Sequence, residues 1–395
     1  MKVIAPPAKL YPLAAFAAVL LLSQIAFSQA AKDQPLNLLV LGDSISWGQG
    51  LRDEHKVSYL VKNWLEQQTG REVQQTMQAH SGALIGSPGE RSTDIDGFAL
   101  MLDGELSRAY PTINEQVDYA VKAFGNPARV DLVIVNGCIN DVDSRRLLNA
   151  VNTSEDIRRL AQAKCGLPVE ALLTRIAHTF PSAHVVIIGY YPILTEKTAN
   201  DLFMRTLAKR FYTPAPNAPR LNDKALRARL IEISREWYQT SGRLLSAAAQ
   251  KVDGELTAGG SHQRVLFADP GFRVENGFAA KETRLWGFDA TWVRKMLAIF
   301  TLGRVQLRSN DERRSFRSDV CKSFFKKAAN ETAEQKATRE DRLMRCKLAA
   351  VAHPNRKGAV MYADAIGKLL KPLIGDAGWL KTDRPLAAKP TPSPN

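Results

Sequence analysis

Beyond its first 30 residues the chain has no apolar stretch of the roughly 20 residues that a bilayer-spanning helix needs, which excludes a membrane bundle. Cysteine is scarce: the four present show no CxxC or Cys–His spacing, so a metal site is discounted. There is no internal repeat, which argues against a solenoid. Acidic residues are in deficit, 40 against 54 Lys and Arg, for a net charge of +14; without Lys2 and Lys9 of the leader the balance is 52 − 40, or +12. That excess favours anionic surfaces, but no nucleic-acid motif accompanies it, and no nucleic-acid partner is expected. What remains is an ordinary folded composition, 45% hydrophobic, 24% charged and 8% aromatic, over 395 residues, ample for a large core.

The N-terminus carries Lys2 and Lys9, the apolar run Leu13 to Leu22 continuing through Ile25-Ala26-Phe27, and the small-residue site Ser28-Gln29-Ala30. This pattern predicts a signal peptide, 1–30, cleaved after Ala30, and hence a secreted or periplasmic protein. An oxidising compartment permits disulfides. Four cysteines allow three pairings. The nearest-neighbour pairs, Cys138 with Cys165 and Cys321 with Cys346, would each close a loop worth about 3 kcal/mol.

Along the mature chain short apolar runs alternate with helical periodicity. Strands are expected at Asn37–Leu41, Glu72–Gln78, Val130–Val135, His184–Ile188 and Val265–Phe267, and helices at Ser58–Gln68, Thr112–Phe124, Pro168–Phe180, Asn222–Gln250 and Gly358–Leu370. The alternation predicts a three-layer α/β/α sandwich on a mostly parallel five-stranded sheet, one domain spanning 31–384. Between Arg304 and Lys347, 13 Lys or Arg stand against 7 Asp or Glu. This segment reads as a basic helical insertion whose cations form a solvated face, with weak contact to an anionic surface as the sharper alternative and Phe324-Phe325 anchoring it to the main domain. The Pro-rich tail, 385–395, is expected to be disordered.

In such sheets chemistry gathers at the carboxyl ends of the strands. Those ends carry Asp43-Ser44, His80-Ser81-Gly82, Asn140-Asp141 and Tyr190-Tyr191. Gly42-Asp43-Ser44-Ile45 resembles the nucleophile block of the SGNH, or GDSL, hydrolases, serine esterases and lipases of flavodoxin-like topology. Gly82, Asn140-Asp141 and His353-Pro354-Asn355 fall in order where that family places its other three blocks. The resemblance covers about Leu38 to Leu370. It implies Ser44 as nucleophile, His353 as base titrating near neutral pH, and an oxyanion hole from the backbone N–H groups of Ser44 and Gly82 and the amide of Asn140. Asp43, Asp141 and His80 are supporting candidates. No metal and no cofactor are implied.

The sequence departs from the family pattern twice. Cys138 stands where a Gly normally precedes the Asn by two positions, and Ala350 stands where the acid normally precedes the His by three. Without that acid, a backbone carbonyl is expected to take the Nδ1 proton of a Ser–His dyad. The function expected is hydrolysis of carboxylic esters, with lipid or phospholipid acyl esters favoured over sugar O-acetyl groups. The alternative is a catalytically impaired binding protein on the same fold.

Overall fold

The computed structural model describes residues 34–89, 104–218, 220–289 and 308–375; the leader, the Pro-rich tail and residues 304–307 of the insertion lie outside them. Five parallel strands form one sheet: β1 (Leu36–Val40), β2 (Val73–Met77), β3 (Leu132–Val135), β4 (His184–Ile188) and β5 (Val265–Ala268), in the order β2-β1-β3-β4-β5. Register follows from pairs such as Val40 with Met77 and Ile134, and Ile134 with Val186. The central strands β1, β3 and β4 are buried along their whole length. Uninterrupted apolar runs such as Leu132-Val133-Ile134-Val135 therefore form strands covered on both faces.

The helices are α1 (Ser44–Trp47), α2 (Val57–Thr69), α3 (Ile113–Phe124), α4 (Ile139–Val142), α5 (Ser154–Cys165), α6 (Leu167–Thr179), α7 (Leu202–Phe211), α8 (Asp223–Ala258), α9 (Arg314–Phe324), α10 (Ala333–Lys347) and α11 (Arg356–Gly375). α2 packs on α11, while α5 and α6 pack on the long α8, giving the layers outside the sheet. The fold is the expected three-layer sandwich, and the order 2-1-3-4-5 places its topological switch between β1 and β3.

Two helices of more than one turn, α5 and α7, lie outside the expected segments. α5 is strongly polar and is started by a capping box in which the Thr153 hydroxyl receives the Asp156 N–H and the Asp156 carboxylate receives the Thr153 N–H. It ends at Cys165, which is disulfide-bonded to Cys138; Cys321 is bonded to Cys346.

The insertion is not only a solvated basic face. α9 and α10 enclose a small core of Leu106, Cys321 and Cys346 with Val320, Phe325 and Leu343 packed against it, so Phe325 does anchor the segment. Arg317 of α9 is 1% exposed, because Glu105 and Asp311, both buried, receive its guanidinium. A cation with two matched acceptors can leave water where one without them cannot.

Candidate active site

The Ser44 turn follows directly from β1. Gly42 takes φ +123°, and a Cβ there would lie 2.3 Å from Asn136 Oδ1, so only glycine fits between the two strand ends. Gln116 of α3 holds this glycine from both sides: Gly42 N–H donates to Oε1 at 2.7 Å, and Nε2 donates to the Gly42 carbonyl at 3.0 Å. Asp43 caps α1, its Oδ1 accepting the Ile45 N–H at 2.9 Å. The same oxygen accepts Asn136 Nδ2 at 2.6 Å, and Tyr190 donates its hydroxyl to Oδ2 at 3.3 Å. Burial pushes the Asp43 carboxyl up to about 6 despite these bonds. Asp43 therefore stands behind the nucleophile and spends its oxygens there.

His353 reaches Ser44 from the far end of the chain. Its Nε2 lies 2.7 Å from Ser44 Oγ. The loop carrying it is fixed by Ala352 N–H to the Trp286 carbonyl (2.8 Å), Trp286 N–H to the His353 carbonyl (2.7 Å) and Tyr191 hydroxyl to the Ala352 carbonyl (2.8 Å). Ala352 itself has φ +67°, a left-handed conformation that these bonds hold in place.

The ring's other nitrogen differs from expectation. Nδ1 is buried and makes no hydrogen bond among the described residues. Burial holds the imidazole down at about 4 rather than near neutrality; the carbonyls of Val351 and Ala350 and the charge of Asp311 favour its protonation, and Arg317 opposes it. The Val351 and Ala350 carbonyls thus act on the ring as the expected carbonyl partner would, although neither meets Nδ1 in good hydrogen-bond geometry.

The remaining residues form one connected frame. Gly82 has φ +84°, and a Cβ there would meet the Arg108 backbone nitrogen at 2.6 Å. Asn140 Nδ2 donates to the Ala83 carbonyl at 3.0 Å, and Asp141 accepts the Ile85 N–H at 3.2 Å. Both side chains tie the segment after β3 to the segment after β2. The Asp141 carboxyl is raised, chiefly by burial. His80 is buried, Nδ1 lying 2.9 Å from the Ser81 carbonyl, and its N–H donates to the Gly42 carbonyl at 3.0 Å. The backbone N–H groups of Ser44 and Gly82 donate to no acceptor among the described residues. Free N–H donors in such a frame suit an anion that forms only during reaction.

Sequence reasoning overlooked Asn136, which accepts the Asp43 N–H at 3.1 Å and the Ser46 hydroxyl at 2.6 Å. Its one sequence signal is a polar residue directly after the all-apolar β3. Gln116 and Arg317 gave no comparable signal, since each looks like an ordinary helix residue, whereas Tyr190 stands at the strand end where it was expected.

A serine turn after β1, a glycine after β2, Asn-Asp after β3 and a histidine ahead of the closing helix, on a parallel 2-1-3-4-5 sheet, give the arrangement that the resemblance to SGNH/GDSL hydrolases implies. No family model and no curated protein matches the chain. Among solved structures it is similar to an extracellular lipase from Streptomyces rimosus (14% identity, 63% of this chain and 87% of that one, TM-score 0.36). It is also similar to phospholipase A1 from Streptomyces albidoflavus NA297 (14%, 65% and 89%, 0.38) and to a family two carbohydrate esterase from Clostridium thermocellum (10%, 88% and 66%, 0.37). At these identities and TM-scores the likenesses carry no weight for chemistry or substrate, which rest on the residues above.

Proposed function

We propose that the chain is an exported serine hydrolase that cleaves carboxylic esters through Ser44 and His353. The observation that carries this reading is the 2.7 Å approach of His353 Nε2 to Ser44 Oγ at the carboxyl edge of the sheet. For Nε2 to accept the hydroxyl proton, the ring's own proton must reside on Nδ1. Ser44 Oγ then attacks the ester carbonyl carbon, its proton passes to Nε2, and the negative charge on the former carbonyl oxygen is met by the Ser44 and Gly82 N–H groups and the second hydrogen of the Asn140 amide. Nε2 returns the proton to the leaving alcohol. Water repeats the sequence on the acyl-enzyme and frees the acid.

The favoured substrates are lipid or phospholipid acyl esters. Support comes from the insertion, where Phe316 and Phe324 are exposed at 44% and 36% and lie beneath the guanidinium groups of Arg313 and Arg108 at 4.4 and 5.0 Å. Aromatic rings flanked by cations suit an anionic, amphiphilic surface. Sugar O-acetyl groups are the alternative substrate. The bare Nδ1 favours one rival, a binding protein on this fold with lost catalysis.

The test is hydrolysis of p-nitrophenyl esters from acetate to palmitate by the mature chain from Ala31, with fluorophosphonate labelling of Ser44. Turnover and labelling that both vanish in Ser44→Ala establish the hydrolase. A folded, disulfide-bonded chain that neither labels nor turns over any ester supports the binding protein instead.

A further inference from the structure

No carboxylate is hydrogen-bonded to His353 among the described residues, yet its loop and the serine turn are joined by a buried charge cluster that the proposed chemistry does not use. Arg317, on the insertion helix α9, is 1% exposed. Its Nη1 donates to Glu105 Oε1 at 2.6 Å. That carboxylate in turn receives Trp47 Nε1 (3.0 Å), Gln49 Nε2 (3.0 Å) and Gly50 N–H (3.1 Å), all in the segment that begins with Ser44. Asp311 receives Nη1 at 3.0 Å and also Nη2. The guanidinium Nε donates to the Lys347 carbonyl at 3.3 Å, where α10 runs out into the loop that carries His353.

One planar cation thus grips both halves of the dyad. The two halves also meet directly: a Cβ on Gly50 would lie 2.7 Å from the Ala350 Cβ and 2.9 Å from the Asp311 Cβ. The residue in the acid's usual place therefore packs against the serine segment with Arg317 and its carboxylates alongside. The disulfide between Cys321 on α9 and Cys346 on α10 ties the helix that supplies the guanidinium to the helix that supplies the carbonyl.

We infer that Arg317 is a positioning residue: through Glu105 and the Lys347 carbonyl it sets the Ser44 turn and the His353 loop relative to one another, a task that Ala350 leaves undone. Four bonds to three residues, in directions fixed by the guanidinium plane, cannot be supplied by an ammonium. The insertion is then part of the site's construction. The inference rests on the Ser44–His353 reading of the proposed function.

The test compares Arg317→Lys, which keeps the buried charge and loses the fork, with Lys322→Met, which removes an exposed cation from the same helix. Full mature chains with both disulfides intact are assayed for kcat and KM on p-nitrophenyl acetate, and the imidazole of His353 is followed by NMR with labelled histidine. Arg317→Lys is expected to lose about 100-fold in kcat, the scale of a displacement of about 1 Å, with KM within about twofold and a shifted or doubled His353 signal; Lys322→Met stays at wild type in all three. A folded Arg317→Lys with wild-type kcat and an unchanged imidazole signal overturns the inference, as does a fall in kcat that only tracks the loss of folded protein. If Arg317→Lys does not fold, Arg317→Met/Asp311→Asn, which removes the cation with one of its anions, carries the same two outcomes. If the wild type hydrolyses no ester, the hydrolase reading fails by itself. The His353 signal in the Arg317 variants then still decides the positioning role.

Discussion

Asn136 and Asp43 are bonded in both directions across the gap between β1 and β3: Asn136 Nδ2 donates to Asp43 Oδ1 at 2.6 Å, and the Asp43 N–H donates to Asn136 Oδ1 at 3.1 Å. With the Ser46 hydroxyl also on Oδ1, one fully buried amide orients the whole serine turn. Asn136→Ala is expected to cost about 2 to 4 kcal/mol in urea melts, because a buried carboxylate and a buried hydroxyl lose partners together, and to lower kcat. An unaltered melt would show that the turn holds itself.

Ser44→Ala and His353→Ala are each expected to lower kcat/KM on p-nitrophenyl esters by at least about 1000-fold, with the double variant little worse than either single one. The two groups act as a unit. Additive losses would show that they do not share a proton.

The pH dependence follows from the ring's burial. The base must be neutral, and His353 is neutral above its pKa, held down at about 4. Activity should therefore rise with pH along a limb near 4, with a second, shallower step near 6 from Asp43 that Asp43→Asn removes. Ala350→Asp places a carboxylate beside the imidazolium, which raises its pKa. That variant should move the lower limb upward and raise kcat at least about 10-fold at neutral pH. An unmoved limb would mean that the introduced carboxylate does not act on His353.

Cys138 occupies a backbone position with φ +102°, costly for any residue with a Cβ. Removal of the disulfide in Cys138→Ala/Cys165→Ala should cost about 3 kcal/mol, from a sequence separation of 27 residues. Cys138→Gly/Cys165→Ala should recover about 1 kcal/mol of that in the same melts, since glycine adopts this conformation without strain. Equal stabilities would show that the cysteine is unstrained there.

The layout was legible because buried parallel strands announce themselves as short apolar runs. His184–Ile188 matches to the residue, and the other four strands match within two residues at each end. The edge strand β2, Val73–Met77, is mostly polar and carries little of that apolar signal. α5 lies outside the expected helices although Thr153 and Asp156 stand at capping-box spacing and the buried Ile157, Ala161 and Cys165 recur every four residues, because so few apolar residues among so many charged ones do not stand out in the sequence. Ser44, Gly82, Asn140 and His353 could be singled out because they fall, in order along the chain, where the SGNH resemblance places its four blocks. Gln116 and Asn136 act through side chains directed at Gly42 and Asp43, far away in sequence, a relation that leaves little local pattern.

By itself, then, the sequence determined the alternation of strand and helix, the place of the serine turn and the absence of an acid at Ala350, since these depend on local residue type and spacing. Tertiary structure alone decided that Nδ1 of His353 finds no well-aligned acceptor among the described residues and that burial holds the ring far below neutrality. It alone turned Arg317, one cation among many in a basic segment, into a buried link between the serine turn and the histidine loop. Burial and charge pairing are properties of what surrounds a side chain, and those surroundings are assembled from segments hundreds of residues apart.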